Sequence, residues 1–385
     1  MTTLAICNGT VYTPFDVIED GAVLVRDGVI EAVGPRAQVP VDSADERIDC
    51  GGRNICPGFI DLQVNGGGGV LLTEQGDVDA VDRMARAHAR FGTTAMLPTV
   101  VTSREDVMVR GLEAVRDAMQ RPPASARILG AHLEGPFINP ARKGAHNERF
   151  IREPDAALFE RLLAARSLRL ITLAPELAGA LDLVRAARAA NVTVSIGHSD
   201  ATYDEARAAI HAGASFATHL FNAMRPLQQR EPGVIGALLA SDDIVAGMIA
   251  DAVHVHPALL GVAARAKGAN RIALVTDAMP PAGAEGASFS LYGGDIVVRD
   301  GACYTPEGVL AGSALTMDRA VRNMRRLAGV PLRECIEMAT ATPARVLGLE
   351  GELGVLAPGA RADIVVCDDD VNVWRVFVGG VLVQG

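Results

Sequence analysis

Five short apolar runs in the middle of the chain each end on a side chain that can ionise or bind a metal. Residues 128–133 run into Glu134, 192–197 into His198, 215–218 into His219, 244–250 into Asp251, and 272–276 into Asp277. Helical patterns at 79–90, 104–119 and 257–266 separate several of these runs, and further β-like runs lie at 95–97 and 170–173. One joint is legible in detail. Val192-Thr-Val-Ser-Ile196 alternates as a strand, and Thr202-Tyr-Asp-Glu205 is a capping box that opens a helix. Gly213 suits the position just past that helix. Repeated strand–helix units require a parallel sheet, and about eight of them a closed TIM-like (β/α)8 barrel. The carboxyl ends of barrel strands converge on one face, where active sites form. One feature therefore limits both the fold and the place of the chemistry. No Gly-x-Gly-x-x-Gly opens a helix, which argues against a dinucleotide-binding sheet.

The two ends of the chain read differently. Residues 4–50 alternate short apolar runs with turn signals, and Asp27-Gly28 between two such runs is a tight hairpin. Gly379-Gly380 marks the same pattern near the other end. Neither end makes a convincing core alone. The reading is one small β-sandwich from both termini, 1–57 and 349–385, around a catalytic barrel of 58–348.

Composition removes several classes of function. Lys plus Arg is 36 against 46 Asp plus Glu, a net charge of −10, with no basic run. Nucleic acid and anionic membrane surfaces are poor partners for such a chain. No stretch approaches the ~18 apolar residues of a membrane span. The start, Met1-Thr-Thr-Leu-Ala-Ile, has neither the basic nor the long apolar segment of a signal peptide. The six cysteines include no Cys-x-x-Cys pair, so reduced thiols in a cytoplasmic protein are expected and a cysteine zinc site is not.

Two histidines and a carboxylate from three different strands make a metal site with an open position for water. Asp277 is placed to act as base toward that water. One such residue after a strand reads as a cap or a loop residue; five in consecutive order do not. His88, His211 and His256 fall in helical patterns and read as structural. The run Gly66-Gly-Gly-Gly69 reads as a flexible loop rather than an anion cradle.

A set of motifs then carries a resemblance. Pro57-Gly-Phe-Ile-Asp61, His132-Leu-Glu-Gly-Pro136, Lys143-Gly-Ala-His-Asn147, Gly197-His-Ser199, Thr218-His-Leu-Phe-Asn-Ala-Met224, Arg230-Glu-Pro-Gly233 and Thr276-Asp-Ala278 resemble the N-acetylglucosamine-6-phosphate deacetylase family of the amidohydrolase superfamily. The likeness extends to Leu356-Ala-Pro-Gly-Ala-Arg-Ala-Asp363, so it spans essentially the whole chain. It implies a metal-dependent hydrolase that converts N-acetyl-D-glucosamine 6-phosphate to D-glucosamine 6-phosphate and acetate, in amino-sugar catabolism or cell-wall recycling. It implies Glu134, His198 and His219 as metal ligands, Asp277 as general base and acid, and His146 at the acetyl carbonyl. Substrate contacts are implied at Ala145, His146, Asn222, Ala223, Arg230, Asp251, His254, Leu310, Ala311, Gly312 and Ser313. Arg230 is implied to reach the neighbouring subunit's site, hence a homodimer.

Many amidohydrolases carry His-x-His after the first barrel strand; here the place reads Gln63-Val-Asn65. An amide oxygen is a much weaker ligand than imidazole, so Gln63 and Asn65 read as a vestigial second-metal position and one divalent ion per subunit is expected. Zn²⁺ suits the ligand set, with Fe²⁺, Mn²⁺ or Co²⁺ as alternatives. Relatives that bridge two metals use a carboxylated strand-end lysine. The only lysines here, Lys143 and Lys267, end no strand, which disfavours that subclass. Asp251-Ala252-Val-His254 departs from the family's common Gly at the second position. Two alternatives stay open: another N-acyl hydrolase of the superfamily, galactosamine-type included, and a barrel that has lost catalysis.

Overall fold

The computed structural model describes residues 2–121, 125–284, 289–291 and 294–385. Eight parallel strands follow in chain order: Phe59–Val64, Thr93–Val101, Ala131–Glu134, Leu168–Leu173, Thr193–Ile196, Phe216–Ala217, Val245–Met248 and Ile272–Leu274. Each pairs with its sequence neighbour. The ring closes where Val64 bridges Ala278 and the Asp277 N–H donates to the Gln63 carbonyl at 3.0 Å. The strands are almost wholly buried, because side chains fill one face and helices cover the other.

Local chemistry starts the helices as the sequence implies. Asp77 accepts from the Ala80 N–H and Asp155 from those of Ala157 and Leu158, while Thr202 and Glu205 form the anticipated reciprocal box. Gly213 follows the last of these helices at φ +119°. His88 lies in the helix Val78–Ala89 and binds the Gly66 carbonyl at 2.9 Å. His211 is in a helix too, whereas His256 stands just before Pro257–Lys267 and caps it through the Ala258 N–H.

Several strands are shorter than their apolar runs. The third is broken at Gly130, with Arg127–Ile128 on the second strand before Ala131–Glu134 resumes. The sixth keeps only Phe216–Ala217. The glycine run departs from its expectation: Gly66–Gly67 pairs with Val70–Leu71 as a small hairpin. Its N–H groups are committed, Gly66 to Ala278, Gly68 to Ala282 and Gly69 to Pro280, so it is neither an open loop nor an anion cradle.

Both termini enter one hydrogen-bonded sheet. Asn54–Pro57 lies between Thr3–Tyr12 and Ile364–Cys367, with hairpins extending each side. The sheet folds over, since Val29 on its edge strand bridges Arg361, just before the interior strand Ile364–Cys367. Ile6, Val23, Ile55, Ile364 and Phe377 fill the space enclosed. A further antiparallel sheet after the eighth barrel strand ends on Leu310–Ser313, which Ala278 bridges at Ser313. Among the described residues no helix is long and apolar enough to cross a membrane.

Lys267 ends its helix with its side chain buried. Its ammonium donates to the carbonyls of Leu238, Ser241 and Ile244 at 2.9, 2.5 and 2.8 Å, joining a helix end to the start of the seventh strand. Lys267→Met leaves those carbonyls without their donor. The expected cost is about 2–3 kcal/mol, read as an earlier denaturant midpoint at unchanged slope.

Candidate active site

Glu134 ends the third strand, while His198, His219 and Asp277 follow the fifth, sixth and eighth. The last three adopt left-handed backbone, with φ of +49°, +27° and +49°. Such conformations cost side-chain-bearing residues about 1–3 kcal/mol each and persist where packing over-determines them. Here they turn each strand end so that its side chain faces the barrel axis.

Three ligand atoms converge. His198 Nε2 and His219 Nε2 lie 3.2 and 3.0 Å from Glu134 Oε1 and 3.1 Å from each other. Bonds of 2.0–2.1 Å in a tetrahedral zinc site put ligand atoms about 3.3 Å apart, so the spacing fits such a centre. The His198 Nδ1–H is held by the Arg142 carbonyl at 2.9 Å, which leaves the Nε2 lone pair facing inward. Two imidazole nitrogens at this distance repel unless a proton or a cation lies between them. The donor set, all buried, therefore fits a divalent ion.

Polar groups beneath the cluster hold it. The Gln63 amide donates to Glu134 Oε1 at 2.8 Å and to Asp277 Oδ1 at 3.2 Å, and Asn65 donates to the same Asp277 oxygen at 2.6 Å. His132, two residues before Glu134 on the same face of the strand, binds Thr172 Oγ1 and the Leu62 carbonyl at 2.8 and 3.1 Å. Burial pushes its imidazole down to about 4, so it is a neutral prop. Burial works against charge on Glu134, but its hydrogen bonds to His198 and His219 outweigh that and hold the carboxyl well below the ordinary range. Asp277 is pushed the other way, up to about 6, by burial and then by the Glu134 charge. His146 is pushed down to about 3 by burial and by His198.

A cleft of roughly 270 Å³ opens over this floor. Ala145, His146, Asn222, Ala223, His254, Leu310, Ala311 and Gly312 line it beside the ligand residues and Asp277. Three of the anticipated contacts stand elsewhere. Ser313 is buried behind the wall, its hydroxyl donating to the Thr276 carbonyl at 2.5 Å. Asp251 stands behind His254, whose Nδ1 it accepts at 2.6 Å. Arg230 is exposed and outside the cleft of its own chain. Sequence reasoning missed the apolar wall of Leu71, Val101, Met279 and Val309, which looks like ordinary core in the chain. It also missed Asp61 and Thr218. The Asp61 carboxylate accepts from Thr276 Oγ1 at 2.6 Å, and the Thr218 hydroxyl donates to Gln63 Oε1.

A closed parallel barrel with a Glu/His/His cluster and a flanking carboxylate at its carboxyl face defines the barrel hydrolases as the class. The chain belongs to the amidohydrolase family, whose model matches residues 54–383. It is 39% identical to the N-acetylgalactosamine-6-phosphate deacetylase of Escherichia coli O157:H7 over 95% of both chains. To the N-acetylglucosamine-6-phosphate deacetylase of Homo sapiens it is 41% identical over 88% of this chain and 86% of that one. The crystal structure of the N-acetylglucosamine-6-phosphate deacetylase from Pasteurella multocida superposes with a TM-score of 0.94 at 37% identity, covering 99% of each chain.

If the cluster holds a cation, His198→Ala and His219→Ala each remove one of three protein ligands. Elemental analysis is expected to find about one divalent ion per parent chain and at least a tenfold weaker hold in either variant.

Proposed function

We propose that the chain hydrolyses the acetamide of N-acetyl-D-glucosamine 6-phosphate to D-glucosamine 6-phosphate and acetate. The observation that carries this reading is the meeting of Glu134, His198 and His219 with Asp277 on the floor of one cleft. The full-length relatives, named as deacetylases of phosphorylated N-acetylhexosamines, supply the substrate class.

Glu134, His198 and His219 would hold one divalent ion per subunit, Zn²⁺ by preference, with Fe²⁺, Mn²⁺ or Co²⁺ admissible. A bound ion supplies a water of lowered pKa and a Lewis acid for the carbonyl oxygen. Asp277 takes a proton from the attacking water as its oxygen bonds to the acetyl carbon. His146, kept neutral by its burial, offers a ring N–H to the oxygen that gains charge. Asp277 then gives its proton to the nitrogen as the carbon–nitrogen bond breaks. The water's other proton leaves with the acetic acid, which ionises in solvent. In this reading Gln63 and Asn65 are a vestigial second-metal position, and their amide donors face the carboxylates.

His254 and the segment Leu310–Gly312 form walls for the sugar, with Asp251 fixing the ring of His254. Among the described residues lining the cleft there is no Arg or Lys. A phosphate dianion needs a positive partner. Arg230, exposed and close in sequence to Asn222 and Ala223, supplies it to the neighbouring subunit of a homodimer in this reading. The six cysteines are unpaired and buried, which suits a reducing, cytoplasmic setting in amino-sugar catabolism or cell-wall recycling.

A second reading has its own support: the Escherichia coli relative is named for the galactosamine epimer. The test is acetate release from both N-acetylhexosamine 6-phosphates and from unphosphorylated N-acetylglucosamine, with and without a chelator. Turnover that the chelator abolishes, confined to a phosphorylated sugar, is expected, and the faster epimer decides between the two readings. No acetate from folded, metal-loaded protein would remove the substrate assignment. Arg230→Ala is expected to lower kcat/KM for the phosphorylated sugar by about 100-fold while leaving the unphosphorylated one unchanged. A small, equal effect on both would sink the phosphate role.

A further inference from the structure

Gln63 and Asn65 reach across the seam of the barrel, from the end of the first strand to Asp277 after the eighth. Their amides are oriented by their partners. Ionised carboxylates only accept, so Gln63 Nε2 faces Glu134 and Asp277, and Gln63 Oε1 is left to accept from the Thr218 hydroxyl. The Nε2 atom lies 2.8 Å from Glu134 Oε1 and 3.2 Å from Asp277 Oδ1. Asn65 Nδ2 donates to that same Asp277 oxygen at 2.6 Å. Turning the Asn65 amide over would set oxygen against oxygen. Both side chains are buried, at 0% and 4% exposure, and Asn65 borders the cleft. Two N–H donors occupy the acceptor capacity of Oδ1. Oδ2 receives no donor among the described residues, and Asp277 lines the cleft.

We propose that Gln63 and Asn65 are positioning residues that give the two oxygens of Asp277 separate tasks. Oδ1 is anchored and stays unprotonated, and Oδ2 alone takes the proton from water and passes it to the leaving nitrogen. A proton on Oδ1 would point at two other N–H groups. Without the amides the carboxylate is free to rotate, and the carrying oxygen loses its fixed direction toward the reacting atoms. An amide suits this place because it donates N–H without adding charge beside Glu134. This role rests on the reading of Asp277 as the base.

The experiment compares Asn65→Asp, Gln63→Met and Asp277→Asn with the parent chain. It measures kcat and KM for acetate release from N-acetylglucosamine 6-phosphate, and metal content by elemental analysis. Asn65→Asp keeps the shape, replaces the amide donor by an oxygen and sets a second carboxyl against Asp277; kcat is expected to fall about 100-fold. KM is expected to stay within about threefold, the pattern of a lost transition-state interaction. Metal content is expected to stay at the parent's value. Gln63→Met adds no charge and is expected to lose about tenfold in kcat with the same pattern. It carries the test where Asn65→Asp does not fold. Turnover within about threefold of the parent in both variants, or metal lost in step with kcat, overturns the proposal. An inactive Asp277→Asn beside an active Asn65→Asp rejects the positioning role alone. An active Asp277→Asn rejects the base reading itself.

Discussion

Closure of the barrel between its first and eighth strands is the constraint on which the site depends. A parallel sheet of eight strands has two edges, and burying both requires that they meet. They meet where the Asp277 N–H donates to the Gln63 carbonyl and Val64 bridges Ala278. Asp61 locks the seam from below, accepting from the N–H groups of Gln63 and Thr276 as well as the Thr276 hydroxyl. Burial raises the Asp61 carboxyl to about 7 even against those three donors. Ser313 continues the seam outward, its N–H on the Asp277 carbonyl and its hydroxyl on that of Thr276. Asp277, the base in the proposed reaction, is thus held by the hydrogen bonds that close the fold.

The same closure sets the electrostatics. Glu134 and Asp277 share one buried floor, bridged by the Gln63 amide, and two buried carboxylates this close do not hold charge equally. His198 and His219 face Glu134, so Glu134 keeps its charge and Asp277 is pushed up. In the proposed reaction these two acids, driven apart in this way, take different tasks, one to hold a cation and one to carry a proton. The left-handed backbone at His198, His219 and Asp277 serves this arrangement. An extended continuation of each strand would alternate its side chains between the two faces of the sheet, and the surrounding barrel supports the strain locally.

The terminal sheet fastens the entry to the barrel. Pro57, the last residue of its strand, is two residues before Phe59, where the first barrel strand begins. The Gly58 N–H between them donates to Asp363, just ahead of the returning strand Ile364–Cys367. Buried Asp363 also faces Arg127, at 3.6 Å, where the third barrel strand begins. The two chain ends therefore hold the amino side of the barrel while Glu134, His198, His219 and Asp277 gather at the other.

Much of this was legible in the chain. Apolar runs ending on Glu134, His198, His219 and Asp277 gave the order of the strands that carry the site, because strand periodicity and helix capping are local properties that adjacent residues display. Asp27-Gly28 and Gly379-Gly380 announced their hairpins for the same reason. Other features had no local signature. Leu71 and Met279 are apolar residues like any in the core until the fold opens a cleft beside them. Gly66, Gly68 and Gly69 looked free because the carbonyls that take their N–H groups lie more than 200 residues onward. Asp61, Thr218 and Asn65 act through partners that only the closed ring brings within hydrogen-bond reach. Sequence alone determined which side chains stand at the strand ends. Tertiary structure alone decided which of their atoms face one another, since those distances follow from closing the sheet and not from any neighbour along the chain.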